Sequence, residues 1–357
     1  MKRAERIVIK VGSNVLTQSN GELDLKRIEQ LVLQITQLKK EGIEVLLVSS
    51  GAVASGRNLI NLPKNTDAVS RRQILAAVGQ GRLLNYYTTL FEKENILCAQ
   101  VLVTKEDFRD REHYLNMKNC ITALLQNNVV PILNENDTVS VTELMFTDND
   151  ELSGLVSSMA SADKLIILSN IDGIYDGPPS DKKSKVIPII EYGDDNFSAY
   201  VSSEKSNFGR GGMITKCNVA HKTAGLGITV QIANGKTDNI LLDIISDKKT
   251  GTVFKPRKNI SSIKKWVADS DGFGKGIIYI DSGAKKALES NTPTSLLPIG
   301  ITKIEGSFKK GDVIKIYDTS GKQLGVGKAQ YSSEKANERK GKKKEKAVIH
   351  YDYLFMH

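Results

Sequence analysis

Over the first 250 residues, short β-branched runs alternate with longer amphipathic stretches. The runs are Ile7 to Val11, Val45 to Val48, Val129 to Leu133, Leu165 to Leu168 and Ile228 to Ile232, each leading into Gly, Ser or Asn. Between the first two, Leu25, Ile28, Leu31, Val32, Ile35 and Leu38 recur at helical spacing, as in an amphipathic helix laid on a sheet. Strand followed by helix, repeated, predicts an α/β fold: a mainly parallel sheet sandwiched by helices. Ligands of such sheets bind beyond the carboxyl ends of the strands, so the chemistry is expected where each run ends.

After Gly251 the texture changes. Gly276 to Ile280, Val313 to Tyr317, Gln323 to Ala329 and Ala347 to Phe355 read as short strands separated by turns such as Thr319-Ser320-Gly321, and they predict a small β-rich domain. The expected division is a catalytic domain over residues 1–254, a linker over 255–274 and the β-rich domain over 275–357.

Composition and charge sharpen that division. A length of 357 residues suits two domains. No apolar run approaches the roughly 20 residues of a membrane span, and the N-terminus lacks the apolar core of a secretory signal; a cytoplasmic protein is expected. Cys98, Cys120 and Cys217 are too widely spaced for a disulfide framework or a metal cluster. The net charge is +9, yet residues 1–250 hold 29 Lys and Arg against 30 Asp and Glu, leaving 21 against 11 for the last third. A basic excess confined to one domain points to an anionic partner for that domain or to a solvated surface. Lys335 to Lys346 carries seven basic and two acidic side chains and reads as a mobile surface loop.

Candidate chemistry gathers at the ends of the runs. Lys10-Val11-Gly12-Ser13 puts an ammonium and a glycine at a strand tip, a phosphate-site pattern without a Walker sequence. Ser49-Ser50-Gly51-Ala52 offers hydroxyls and free amides, for an anion or simply for a helix cap. Asn134-Glu135-Asn136-Asp137 and Thr147-Asp148-Asn149-Asp150 bring acidic and amide groups to the same edge; they suit an ammonium or a metal ion, or form a solvated loop. Phe208-Gly209-Arg210-Gly211-Gly212-Met213-Ile214-Thr215-Lys216 leads glycines straight into a helix, an anion-binding arrangement. Tyr175, in Ser169-Asn170-Ile171-Asp172-Gly173-Ile174-Tyr175, could flank a purine or fill a core.

Taken in order, Val8-Ile9-Lys10-Val11-Gly12-Ser13, Ser49-Ser50-Gly51-Ala52, Leu75-Ala76-Ala77-Val78-Gly79-Gln80, Asn134-Glu135-Asn136-Asp137 and Asp148-Asn149-Asp150 resemble the amino acid kinase family, in the pattern of its members that phosphorylate glutamate to open proline synthesis. Ser295-Leu296-Leu297-Pro298-Ile299-Gly300 resembles the start of a PUA domain. The pattern departs from the family at Arg210, usually threonine, and at Ser169-Asn170, usually Thr-Asp.

The resemblance implies transfer of the ATP γ-phosphoryl group to the γ-carboxylate of L-glutamate, giving L-glutamyl 5-phosphate, with Mg2+ entering on ATP and no metal site of the protein's own. It implies Lys10, Lys216 and Asp150 as catalytic residues, the lysines on the phosphoryl group and Asp150 holding them. Ser50, Asp137, Asn149 and Asn134 would bind glutamate: hydroxyl and amide to carboxylate, Asp137 to the α-ammonium. Lys10, Ser169, Asn170, Arg210, Gly211, Gly212, Met213, Ile214, Thr215 and Lys216 would hold ATP. Feedback inhibition by proline, a homo-oligomer and weak RNA binding by the PUA domain are further expectations. Two alternatives stay open: a kinase of the same fold acting on acetylglutamate, aspartate, carbamate or a nucleoside monophosphate, and an RNA-binding protein acting through its basic domain.

Overall fold

The computed structural model describes residues 4–57, 59–140, 148–178, 181, 183–194, 212–257, 274–290 and 294–356. The chain divides into two compact units, Met1–Lys258 and Asn259–His357.

In the first unit the strands are β1 (Arg6–Val11), β2 (Glu44–Ser49), β3 (Cys98–Val103), β4 (Val130–Glu135), β5 (Lys164–Ser169), β6 (Ile189–Ile190), β7 (Thr229–Asn234) and β8 (Thr252–Phe254). The helices are α1 (Ser13–Leu16), α2 (Leu25–Lys40), α3 (Ala52–Gly56), α4 (Ala68–Lys93), α5 (Lys105–Arg109), α6 (Arg111–Gln126), α7 (Asn149–Met159), α8 (Met213–Gly225) and α9 (Ile240–Ile245). Among the described residues the strands form one sheet in the order β3-β4-β2-β1-β5-β7-β8-β6, parallel except where β8 runs against β7. The five apolar runs are its five central strands. Edge strand β3 escapes the pattern because several of its residues are only partly covered.

Period-two alternation decides what β1 presents to each side. Ile7, Ile9 and Val11 join Ile28, Leu31 and Ile35 of α2 and Leu83, Tyr87 and Phe91 of α4 in a buried core. The alternate positions, Val8 and Lys10, face the other way, where α7 packs on β1. Lys10 lies in register with Val48 of β2 and Ile167 of β5. Since β2 and β5 flank β1 and their crossovers leave in opposite directions, the crevice at the carboxyl end of β1 is the switch point of the sheet.

The strand β4 reaches two residues further than its apolar run, so Asn134 and Glu135 are strand residues, and both are buried. Behind them, α3 and α4 cross closely. A Cβ on Gly79 would fall on the Ala52 carbonyl, and one on Gly56 on the Leu75 carbonyl. Glycine is required at both positions by the approach of two backbones, which accounts for Gly79 in the Leu75–Gln80 string.

The second unit is a five-stranded sheet, β9 (Gly276–Ile280), β10 (Ile301–Gly306), β11 (Val313–Asp318), β12 (Gln323–Ala329) and β13 (Ile349–Met356), in the order β10-β9-β11-β12-β13. Helices α10 (Ser282–Leu288) and α11 (Ser333–Arg339) accompany it, and Ile278, Ile280, Ile314, Ile316, Leu324 and Ile349 fill its core. One expectation is corrected here. The basic segment is not loop throughout: residues 335–339 complete α11, whose Ala336 is fully buried. Arg339 pairs with Glu345 at 3.3 Å and lies 5.0 Å over the Tyr331 ring. A single apolar residue anchors the helix, too little for periodicity to register.

Candidate active site

At the carboxyl end of β1 three charged side chains meet. Asp150, in the first turn of α7, is fully buried; its Oδ1 lies 2.5 Å from Lys10 Nζ and its Oδ2 accepts from Lys216 Nζ at 2.7 Å. Burial works against the Asp150 charge, but the two ammonium groups outweigh it and hold the carboxyl well below the usual carboxylate range. Burial likewise opposes the charge of Lys216, and Asp150 overcomes that opposition, so its pKa is raised. One carboxylate thus fixes two ammonium groups, giving the trio a net charge of +1 at the carboxyl end of β1. Gly12 keeps the crevice open: a Cβ there would crowd the Leu168 carbonyl at 3.3 Å and Lys10 Nζ at 3.5 Å.

Asp148 caps α7, accepting from the Asp150 and Glu151 amides at 2.8 and 3.3 Å. Its other oxygen, Oδ2, is buried without a hydrogen-bond partner. Burial, and then the neighbouring Asp150, push the Asp148 carboxyl up to about 6. The sequence assigned Asp148 no role, because an aspartate just before a helix looks like any cap.

Asn149 ties the motifs together. Its Nδ2 donates to Ser50 Oγ at 3.0 Å, Asn134 Oδ1 at 3.0 Å and the Ser49 carbonyl at 3.3 Å. Asn134 Nδ2 in turn donates to Gln80 Oε1 at 2.8 Å. This gives the chain of bonds a direction: the Asn149 amide nitrogen is engaged by protein acceptors, and Ser50 Oγ accepts from it. Ser49 bonds Tyr87 at 2.9 Å inside the core.

Asp137 is ion-paired with Arg72 of α4, which bonds Glu135 at 2.8 Å as well. Burial raises the Asp137 pKa, with Arg72 opposing. Arg72 lies outside every string the sequence picked out, while Glu135 and Gln80 stand in such strings without an individual role. Arg72 and Gln80 sit two helical turns apart on α4, but a basic residue before an Ala- and Leu-rich string carries no signal of its own.

On the other side of β1, Ser169 ends β5 and its Oγ lies 3.5 Å from Asn170 Oδ1. Tyr175 OH donates to Asp172 Oδ2 at 3.1 Å, and Asn234 Nδ2 to Asp172 Oδ1 at 2.9 Å. Gly212 caps α8, so Met213, Ile214 and Thr215 form its first turn, with backbone N–H groups at the positive end of the helix dipole and Lys216 following. Arg210 and Gly211 lie outside the described residues. Among the described residues no group of three or more His, Cys, Asp or Glu side chains is placed to hold a metal ion, and no helix is long and apolar enough to cross a membrane.

The amino acid kinase family model matches residues 5–234, and the PUA domain model residues 276–351. The chain is 55% identical to the glutamate 5-kinase of Bacteroides thetaiotaomicron, over 98% of both chains. It is 54% identical to that of Chlorobaculum tepidum, over 98% of this chain and 97% of the relative. Among solved structures, carbamate kinase from Giardia lamblia bound to AMP-PNP superposes with a TM-score of 0.54 at 17% identity, covering 72% of this chain and 100% of that one. UMP kinase from Ureaplasma parvum gives 0.50 at 18% identity, covering 71% and 99%; likeness at that identity speaks to fold alone. A sheet with two ammonium groups on one buried carboxylate at its switch point, followed by a separate β-rich unit, agrees with these matches along the whole chain, which therefore belongs to the amino acid kinase family, in its glutamate 5-kinase branch with a C-terminal PUA domain.

Proposed function

We propose that this chain transfers the γ-phosphoryl group of ATP to the side-chain carboxylate of L-glutamate, the activity named for its full-length relatives, and that residues 1–254 perform it while 275–357 form the PUA domain beyond a linker. The observation that carries the reading is the pair of ammonium groups, Lys10 and Lys216, held 2.5 and 2.7 Å from the two oxygens of one buried carboxylate.

A glutamate side chain is already ionised at neutral pH, its reference pKa being about 4.3, so the nucleophile needs no general base. A carboxylate oxygen forms the new bond to phosphorus while the bond to the bridging oxygen breaks and ADP keeps that electron pair. The work left to the protein is alignment and charge. Lys10 and Lys216 neutralise the phosphoryl oxygens, and Asp150 keeps both in place before the substrates arrive, so little reorganisation is required as charge spreads. Ser50 donates to the substrate α-carboxylate, while Asn149 Oδ1 and Asp137 accept from its α-ammonium. The first turn of α8, with Ser169 and Asn170, holds the nucleotide, and the Asp172-bound Tyr175 borders the base.

Magnesium suits this donor set only as a passenger of ATP. Both Asp150 oxygens are engaged by ammonium groups, which leaves Asp148 Oδ2 as the unpartnered buried carboxylate oxygen beside them. One protein oxygen, with phosphates and waters completing the shell, is the usual style of Mg2+ at a nucleotide, where the ion adds positive charge to the phosphates.

The test is hydroxamate formation from ATP, Mg2+ and hydroxylamine with L-glutamate, N-acetylglutamate or L-aspartate as acceptor. Efficient hydroxamate formation with L-glutamate alone is expected, because acetylation removes the cation that Asp137 pairs with. Equal turnover of N-acetylglutamate contradicts the reading.

A further inference from the structure

Tyr87 of α4 is buried in the apolar core against α2 and has no part in the chemistry above. Its phenol oxygen lies 2.9 Å from Oγ of Ser49, which is itself fully buried. A buried hydroxyl pair satisfies both of its members, and often does no more. Here the bond has a direction. Ser49 Oγ also lies 2.9 Å from the Ser50 carbonyl, and a carbonyl only accepts, so the single serine proton is committed to it. The Tyr87 hydroxyl must then donate to Ser49 Oγ. Burial pushes the Tyr87 pKa up to about 12, so the phenol keeps that proton throughout the neutral range.

This line of donors runs from the core to the turn where β2 leaves the sheet. Ser50 is held there at three atoms: its N–H donates to the Val11 carbonyl at 3.1 Å, its carbonyl accepts from Ser49, and its Oγ accepts from Asn149 at 3.0 Å. The next residue, Gly51, has a φ of +108°, a backbone state that glycine enters freely and that gives the turn little stiffness of its own. The bond on the Ser50 carbonyl therefore fixes the peptide plane between Ser50 and Gly51. It does so from the buried side, where the low dielectric strengthens a hydrogen bond.

We propose that Tyr87 is a positioning residue for the amino-acid substrate: acting through Ser49 it locks the Ser50–Gly51 peptide and so holds the Ser50 hydroxyl where the substrate's α-carboxylate binds. This rests on the reading of Ser50 given above. Tyr87 itself touches no substrate. The α-carboxylate is remote from the reacting oxygen and is held alike in the ground state and the transition state. Loss of the lock therefore weakens glutamate binding and leaves the phosphoryl step in place.

The experiment is steady-state kinetics on the full-length protein carrying Tyr87→Phe, which removes one oxygen and keeps the ring in the core. The KM for L-glutamate should rise about three- to tenfold, the span expected for one hydrogen bond, while kcat and the KM for ATP stay within about twofold. Ser49→Ala should do the same, and it carries the test if the phenylalanine variant does not fold. The double variant should be no worse than the worse of the single ones, because the two hydroxyls act in series. An unchanged KM for glutamate in the single variants, a fall in kcat at constant KM, or additive losses in the double variant would show hydroxyls that serve only the core and would overturn the proposal. Ser50→Ala separates this from failure of the underlying reading. If that variant leaves the KM for glutamate intact, Ser50 does not bind the substrate at all; if it raises that KM while Tyr87→Phe and Ser49→Ala do not, only the role of Tyr87 falls.

Discussion

Replacing Asp150 with Asn tests how the two lysines are held. The substitution conserves shape but removes the one negative charge between two ammonium groups that are 5% and 13% exposed. The amide oxygen can accept from one lysine; its NH2 then faces the other. Two ammonium groups ~6 Å apart repel by about 3 kcal/mol at an effective dielectric constant near 20, and removing one partner of a buried ion pair typically costs about 3–5 kcal/mol. Asp150→Asn should therefore lose about 3–5 kcal/mol of stability in urea unfolding at pH 7.5. The sign against pH follows from the depressed Asp150 pKa. Its contribution is fully present above the unfolded value of about 3.9 and is lost as pH falls below it, so wild type and variant should converge in acid. Saturating ATP, whose phosphates replace the missing charge, should stabilise the variant more than the wild type. Lys216, deprived of the carboxylate that raises its pKa, should lose its proton at lower pH, moving the alkaline fall of kcat downward. A variant within about 1 kcal/mol of wild type, with an unshifted kcat profile, would refute the reasoning.

Asp148→Asn acts in the opposite sense: the carboxyl titrates at about 6 in the folded protein against about 3.9 unfolded, so its ionised form opposes folding above pH 6 and costs nothing below pH 4. Since Asn caps helices as well as Asp, the variant should gain roughly 1–3 kcal/mol at pH 8 and nothing at pH 4 by urea unfolding, while losing turnover. Lys216→Ala should lower kcat about a hundredfold without loss of fold, whereas replacing Lys342, Lys343, Lys344 and Lys346 together with Ala should leave kcat unchanged in the same coupled ADP assay. A chain ending at residue 258 should fold and retain turnover, measured by circular dichroism and the same assay, because every residue assigned to the site precedes Lys222.

The sheet was legible because fully buried strands announce themselves as apolar runs: β1, β2, β4, β5 and β7 are almost wholly covered. Edge strand β3 and the short β6 and β8 carry too few covered residues for the pattern to register. In the site, Lys10, Asp150 and Lys216 stood in recognisable strings separated in turn by 140 and 66 residues, and the topology brings them together at one strand end. Arg72, and the partners of Glu135 and Gln80, were hidden for a different reason. Their roles are side chain to side chain across 54 and 63 residues, and nothing in local spacing distinguishes an arginine that bridges two buried carboxylates from one that faces water. The direction of the Asn149 amide was likewise beyond the sequence, since it depends on acceptors from β2, β4 and the turn at Ser50.

The central claim is that a glutamate side-chain oxygen attacks the γ-phosphorus beside Lys10 and Lys216. L-Glutamate labelled with 18O in its side-chain carboxylate, incubated with ATP, Mg2+ and hydroxylamine, tests it directly. Hydroxylamine attacks the acyl carbon and expels phosphate that retains the bridging oxygen, so the account requires one 18O in each phosphate released, matched one to one with hydroxamate. Phosphate free of label, formed at the same rate whether or not glutamate is present, would mean that water is the acceptor and would contradict the account.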